Sequence, residues 1–400
     1  MASMMRNDSC PCAPDELQQL FTVPDTQTAV TKVTKVRKYP LTSDLNHDGP
    51  LEFLIPNSST DFIDLANISL YLKLKVVKED GTNVGANKKV GPVNNFFHSL
   101  FKDVKMRLGK DSDMLVTASL PNYPYRAYLE NLLSFGRGAK NNQLNQQVMW
   151  EKDTAGQLDS TQAVQTGAGD TIVPVVNHGL GERRKKMDGV DVRIQLERQQ
   201  PKFYLMWNEN NEAYKVELIK AYLEVPFVTL APSTYTRIAE QLQSNNAKYP
   251  LKRVVVKDIS IPSRRRFHVL DNLFINEVLP KRLILGLVEN DSYDGNSIKN
   301  PFKFHHHRLE YIKLMKNGDV VEEYFMDFPN KQATTPYLDL KRVGILNSKE
   351  DLDMSYNDYI KGYTLFGFDL TNDHGADQHF PHEERKTLLV DQLRFPVWNF

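Results

Sequence analysis

Hydrophobic residues recur at every second position through much of this chain. In "ISLYLKLKVV" (68–77), Leu70, Leu72 and Leu74 alternate with Tyr71, Lys73 and Lys75. That is the period of a strand with one buried face. "DVKMRLG" (103–109) repeats it with Val104, Met106 and Leu108, and "VDVRIQLER" (190–198) with Val190, Val192, Ile194 and Leu196. "LEFLIP" (51–56) and "YKVELIKAYLEV" (214–225) add two more predicted strands. The second half replays the first: "LKRVVVKDISIP" (251–262), "RLILGLVEN" (282–290), "LEYIKLM" (309–315), "VVEEYF" (320–325) and "YTLFGFDLT" (363–371) read as strands. Asn317-Gly318 predicts a hairpin turn, because Asn-Gly accepts the positive φ angles of a type I′ turn.

A few segments switch to a helical period. In "NYPYRAYLENLLSFGRG", Pro124 suits a first turn and Gly136 a stop. Tyr125, Tyr128, Leu129, Leu132 and Leu133 share a face, so a helix over 124–134 is predicted to cap the open end of a barrel rather than form an aromatic ligand box. Ser348 and Asp351 read as a capping box, with Leu352, Tyr356, Tyr359 and Ile360 along one face and Gly362 as the stop, predicting a helix over 348–361. "APSTYTRIAEQLQSNNAKYP" (231–250) gives a short helix and turn, with Tyr235, Ile238, Ala239 and Leu242 on one side. In "PVNNFFHSLF", Phe96, Phe97, Leu100 and Phe101 predict a short buried turn, and Asn94 and Asn95 serve packing with them.

Many short strands, with a helix inserted at a comparable point in each half, predict an all-β protein of two tandem β-barrels. The expected divisions are a flexible N-terminal arm (1–40), a first barrel (41–230) with an exposed loop (151–189), a linker helix and turn (231–250), a second barrel (251–380) and a tail (381–400).

Composition narrows the function. The 400 residues carry 50 basic and 50 acidic side chains, and 40% are hydrophobic. Zero formal charge disfavours a dedicated nucleic-acid binder and favours close association with copies of itself. Cys10 and Cys12 are the only cysteines, so a disulfide framework is excluded and a reducing compartment is expected. A lone Cys-Pro-Cys lacks the second pair of ligands for a tetrahedral metal site. No secretory segment opens the chain and no run of about 18 apolar residues spans a bilayer, so the sequons at Asn7, Asn57 and Asn67 are expected to stay unmodified.

The candidate chemistry is thin. His305, His306 and His307 form a run; on a strand, His305 and His307 share a face and a third ligand is wanting. His379 and His382 lie in an irregular tail. "TGAGDT" (166–171) is no dinucleotide fingerprint, since Ile172 replaces the third glycine. Arg183 to Lys186 read as a solvated loop or a nuclear-import patch. There is no P-loop, H-E-x-x-H or G-x-S-x-G. No catalytic, cofactor-binding or metal residue is predicted, and no enzyme.

Longer phrases carry a resemblance. "GPLEFLIP", "DFIDLANISLYLKLKVVKEDGT", "VGPVNNFFHSLFKDVKMRLG", "YPYRAYLENLLSFG", "WEKDTAGQLD", "AKYPLKRVVVKDISIPS", "LPKRLILGLVEND" with "GNSIKNPFKF", "GYTLFGFDLT" and "DHGADQHF" stand in order over roughly residues 10–380. They resemble the hexon-like major capsid proteins of Maverick/Polinton elements and adintovirus-like viruses. The resemblance implies a double jelly roll, homotrimers of pseudo-hexagonal outline, and an icosahedral shell made with neighbouring capsomers and with penton or minor capsid proteins. It implies a place in a virion capsid within the host cytoplasm or nucleus, or a genomic relic of such a gene. The alternative is a lectin-like double β-sandwich binding module of host origin, expected to be a monomer.

Past Phe380 the chain departs from that family. "KTLLVDQLRF" supplies one strand, with Leu388 and Val390 on a face, before Pro396. The second jelly roll is therefore expected to be one or two strands short, and residues 381–400 to pack poorly.

Overall fold

The computed structural model describes residues 30–43, 45, 49–56, 58, 61–85, 88–109, 122–145, 150–160, 171–175, 186–187, 191–208, 212–245, 254–263, 265–274, 280–316, 318–343, 352–370 and 388–394. The first half contains β1 (Val30–Pro40), β2 (Leu51–Ile55), β3 (Phe62–Asp64), β4 (Ser69–Lys78), β5 (Val90–Pro92), β6 (Phe101–Leu108), β7 (Thr171–Val175), β8 (Lys186–Met187), β9 (Val192–Arg198), β10 (Leu205–Trp207) and β11 (Tyr214–Leu230). The second contains β12 (Phe267–Phe274), β13 (Arg282–Gly286), β14 (Tyr311–Lys316), β15 (Asp319–Phe325), β16 (Leu365–Asp369) and β17 (Leu388–Arg394).

In the first half a sheet of order β7-β4-β11-β3-β8, with β1 also on β11, accompanies the sheet β2-β9-β6 and the pair β10-β5. Alternation sets which way each strand faces. Leu72 and Leu74 of β4 are buried beside their partners Ala221 and Leu218. Next to Leu72, on the opposite face, Tyr71 stacks on its partner Tyr222, ring centroids 4.4 Å apart. Leu51, Phe53 and Ile55 of β2 face inward with Val192 and Leu196 of β9. In the second half the sheet runs β12-β17-β14-β15, accompanied by the pair β13-β16. Ile312, Leu314 and Tyr324 lie inward there, with Leu365, Phe366 and Phe368.

Among the helices that punctuate the strands are α1 (Phe96–Ser99), α2 (Tyr123–Ser134), α3 (Pro232–Ser244), α4 (Thr334–Val343) and α5 (Tyr356–Ile360). The core is continuous across both halves.

Several expectations need correction. Val30–Pro40, assigned to the N-terminal arm, is a strand along β11. Its valines fall every third residue, and two register shifts interrupt the period-two pattern by which strands are recognised. Residues 254–262 form no strand, and Val254, Val255 and Ile259 are exposed. The capping box of the helix expected over 348–361 belongs to Ser355 and Asp358, and α5 starts at Tyr356; Ser348 and Asp351 lie outside the described residues. In β6 Phe101, Asp103 and Met106 are buried, while Val104 and Leu108 of the expected face are half-buried and pack against the core; the β6–β9 ladder shifts between Phe101 and Asp103. The strand expected in "KTLLVDQLRF" is β17, paired with β12 on one side and β14 on the other. Within the tail expected to pack poorly, the backbone of 388–394 is thus laddered on both sides; residues 381–387 and 395–400 lie outside the described residues.

Candidate functional site

Three places concentrate unusual chemistry: the seam between the halves, the histidine run and an exposed apolar row.

The seam is built on α2. Pro124 stands in its first turn, and its apolar face is buried in the core. Tyr128 stacks face to face on Phe302 at 4.2 Å and 5°. Tyr125 stacks on Tyr293 at 5.7 Å and meets Phe302 and Phe203 edge-on. Lys140 folds back and donates to the Leu132 carbonyl at 2.8 Å, satisfying an acceptor in the last turn of α2. Its ammonium lies 5.1 Å from the Trp150 ring centre. Burial pulls its pKa down to about 8.

Trp150 begins a strap, residues 150–160, that leaves the first half and docks on the second. The start of the polar loop expected over 151–189 is thus tied to the second half while Glu151, Lys152, Thr154, Gly156, Gln157 and Ser160 stay exposed. The polar residues that hid this are met by polar partners. Lys152 bridges Asp353 at 3.6 Å and Asp358 at 2.9 Å. Asp153 accepts from Asn300 Nδ2 at 3.3 Å, and its carbonyl accepts from Tyr363 at 2.9 Å. Gly156 N–H donates to the Lys361 carbonyl, and Asp159 accepts from Asn300 N–H and pairs with Lys303. Burial pushes the Asp153 carboxyl up to about 7.

The histidine run is a turn, not a strand. His307 and Arg308 both have left-handed backbone, with φ of 45° and 56°. His305 Nδ1 accepts from His307 N–H at 2.9 Å, and His306 Nδ1 from Arg308 N–H at 2.8 Å. These bonds bend the chain as Asx-turns do. His305, His306 and Phe328 form a pile, with ring centroids 4.5 Å and 4.1 Å apart. Among the described residues no group of three or more His, Cys, Asp or Glu is arranged to hold a metal.

The apolar row lies on the outward face of the second-half sheet. Phe267, the backbone position of Arg394, Tyr311 and Phe325 are in register across its four strands. Phe267 is 63% exposed and Phe325 73%; Tyr311 and Phe325 rings lie 4.7 Å apart. Sequence alternation predicts no strand over Phe267 and does not show the register that aligns these residues. α3 also buries none of its residues and leaves Leu242 51% exposed.

The buried turn predicted from Phe96, Phe97, Leu100 and Phe101 is α1 with the start of β6, and Asn94 and Asn95 are buried beside it. Asn94 Oδ1 accepts from Asn95 N–H and from the strap at Glu151 N–H. Cys10, Cys12, Asn7, Asn57, Arg183, His379, His382 and the glycines of "TGAGDT" lie outside the described residues; Lys186 lies in β8.

No model of a known protein family matches the chain. An uncharacterised protein of Caenorhabditis elegans is 23% identical over 369 residues, covering 87% of this chain and 86% of that protein. Among solved structures, a chain of the Sputnik virophage is similar with a TM-score of 0.55 and 10% identity, over 95% of this chain and 85% of its own. A chain of the PBCV-1 virus capsid gives 0.53 and 10%, over 93% and 86%. The Faustovirus major capsid protein gives 0.51 and 6%, over 96% and 90%. The β-rich fold is thus similar to that of known double jelly-roll capsid proteins, across both halves.

Proposed function

We propose that this chain is a structural protein: a major capsid subunit of the double jelly-roll type, or a genomic relic of one, that assembles as a homotrimer. The observation that carries the reading is the similarity to capsid chains over nearly the full length. A fold shared at such low identity does not by itself give function, and three features of the chain add support. The seam between the halves is packed with aromatic rings from both. Apolar side chains remain exposed on the second-half sheet and on α3; such patches mark interaction sites. Net charge is zero, which suits lateral packing of identical subunits.

A trimer of two-barrel chains offers six similar lobes around one axis and tiles a near-hexagonal lattice with one gene product. That geometry serves an icosahedral shell of the Maverick/Polinton and adintovirus kind, in a virion, with penton or minor capsid proteins at its special positions. In this reading β1 to β11 belong to the first barrel and β12 to β17 to the second, 231–250 joins them, and no residue has a catalytic role. Negative-stain images of the purified chain test it: three-fold particles of six-lobed outline are expected, and isolated two-lobed particles at micromolar concentration overturn it.

A further inference from the structure

Residues 254–262 form a strand-like stretch without a sheet. "VVVKDISIP" is rich in β-branched residues, the composition of a strand. Among the described residues it nonetheless joins none of the sheets. Val254, Val255 and Ile259 are exposed, and so are Lys257, Asp258 and Ser260. The stretch is fixed in place all the same. Asp258 accepts from Asn122 Nδ2 at 2.8 Å, beside the start of α2, and Ile261 packs against the core. A segment already held loses less freedom when it pairs with another chain.

β15 is the reverse, a sheet edge without a further strand. It ends the sheet β12-β17-β14-β15, and among the described residues only β14 is laddered to it. Asp319, Val320, Glu322, Glu323 and Phe325 are exposed. An open edge is a template for strand addition, in which main-chain bonds supply the affinity. Met326 N–H donates to the Glu310 carbonyl at one end of the β14–β15 ladder. Bonded and unbonded pairs alternate in such a ladder. Glu323 and Phe325, opposite Lys313 and Tyr311, therefore turn their backbone groups to the open side.

Charge selects this edge for that stretch. Residues 252–266 hold six basic side chains, and Asp258 is their one acid. β15 holds Asp319, Glu322 and Glu323 and no basic residue, with Lys313 one strand further in. β1 is also laddered on one side among the described residues. It carries Lys32, Lys35, Arg37 and Lys38, which disfavour a basic partner. Apolar groups match too, with Val254, Val255 and Ile259 on the stretch and Val320 and Phe325 on the edge.

We propose that residues 254–260 of one copy add as a strand to the open edge of β15 in a second copy. The edge of the same chain stays open while its own stretch is held beside Asn122. The contact rests on the homotrimer reading above and supplies its interface. It joins one surface to a different one, a heterologous contact that closes as a ring in a trimer.

Two measurements on the full chain test it. Neighbouring residues of a strand direct their N–H groups to opposite sides. Val255→Pro/Val256→Pro therefore removes an N–H from whichever side meets the edge, at a place where the chain alone makes no ladder. Association, read by light scattering over a concentration series, is expected to weaken about tenfold or more, with the far-UV circular dichroism unchanged. Carbodiimide cross-linking of mixed unlabelled and heavy-nitrogen chains should link Lys257 to Asp319, Glu322 or Glu323 in peptide pairs that combine both labels. A wild-type trimer without those links, or a proline variant that associates as tightly as wild type, overturns this contact and leaves the homotrimer reading standing. A monomeric wild type overturns both. Should the proline variant misfold, the links in the wild type decide.

Discussion

Phe302 is the residue on which the seam most depends. It is 0% exposed and touches three rings of the first half: Tyr128 face to face at 4.2 Å, Tyr125 edge-on at 5.7 Å and Phe203 edge-on at 5.9 Å. Phe302→Ala removes the buried ring and leaves a cavity among rigid aromatics, which cannot collapse into it. Such changes cost about 3–5 kcal/mol. The aromatic pairs, worth about 0.5–1.5 kcal/mol each, are part of that loss and not an addition to it, so the upper half of the range is expected. Phe302→Leu keeps most of the volume and loses the stacking, for an expected cost of about 1–2 kcal/mol. Urea denaturation measures both, followed by far-UV circular dichroism and by emission of Trp150, whose ring lies 5.2 Å from Tyr128. A loss under about 1 kcal/mol for Phe302→Ala refutes the central place of this ring. Equal losses for the two variants refute the role of stacking.

Asp153→Asn is expected to remove a pH dependence of stability. Its folded value is raised to about 7, so its contribution is present below the ordinary carboxylate range and lost as pH rises through 7. The Asn variant should therefore be more stable than wild type at pH 8, by about 1–2 kcal/mol once the residue's partial solvent contact is allowed for, and a melting series from pH 5 to 8 shows whether the difference grows with pH. Gly362→Ala places a Cβ 2.7 Å from Leu158 at a φ of 126°. The strap should detach, read as faster protease cleavage within 150–160, and unchanged cleavage would contradict its docking. Zinc titration by calorimetry should show no micromolar one-to-one site, since Nδ1 of His305 and of His306 already accepts a backbone N–H; a stoichiometric site lost in His305→Ala would refute that.

What the sequence made legible was what period reveals. β4, β9 and β11 follow from alternation, and α2 from Pro124 and its aromatic face. What stayed hidden depends on partners distant along the chain. The valines of β1 show neither a strand nor a helix period, and pairing with β11 gives them their strand. Val254, Val255 and Ile259 look like a strand yet find no ladder. Ser348-x-x-Asp351 and Ser355-x-x-Asp358 have the same spacing, and local pattern has no means to choose between them. The strap reads as a polar loop because Lys152, Asp153 and Asp159 bind polar groups some 140 to 200 residues away. The histidines form a turn because their own rings act as acceptors, which a hydrophobicity pattern does not register.

The claim that the exposed apolar faces serve self-assembly is tested most directly by the mass of the purified chain in solution. Size-exclusion chromatography with light scattering at micromolar concentration should give three times the 46.0 kDa of one chain. A single 46.0 kDa species across that concentration range would contradict the account.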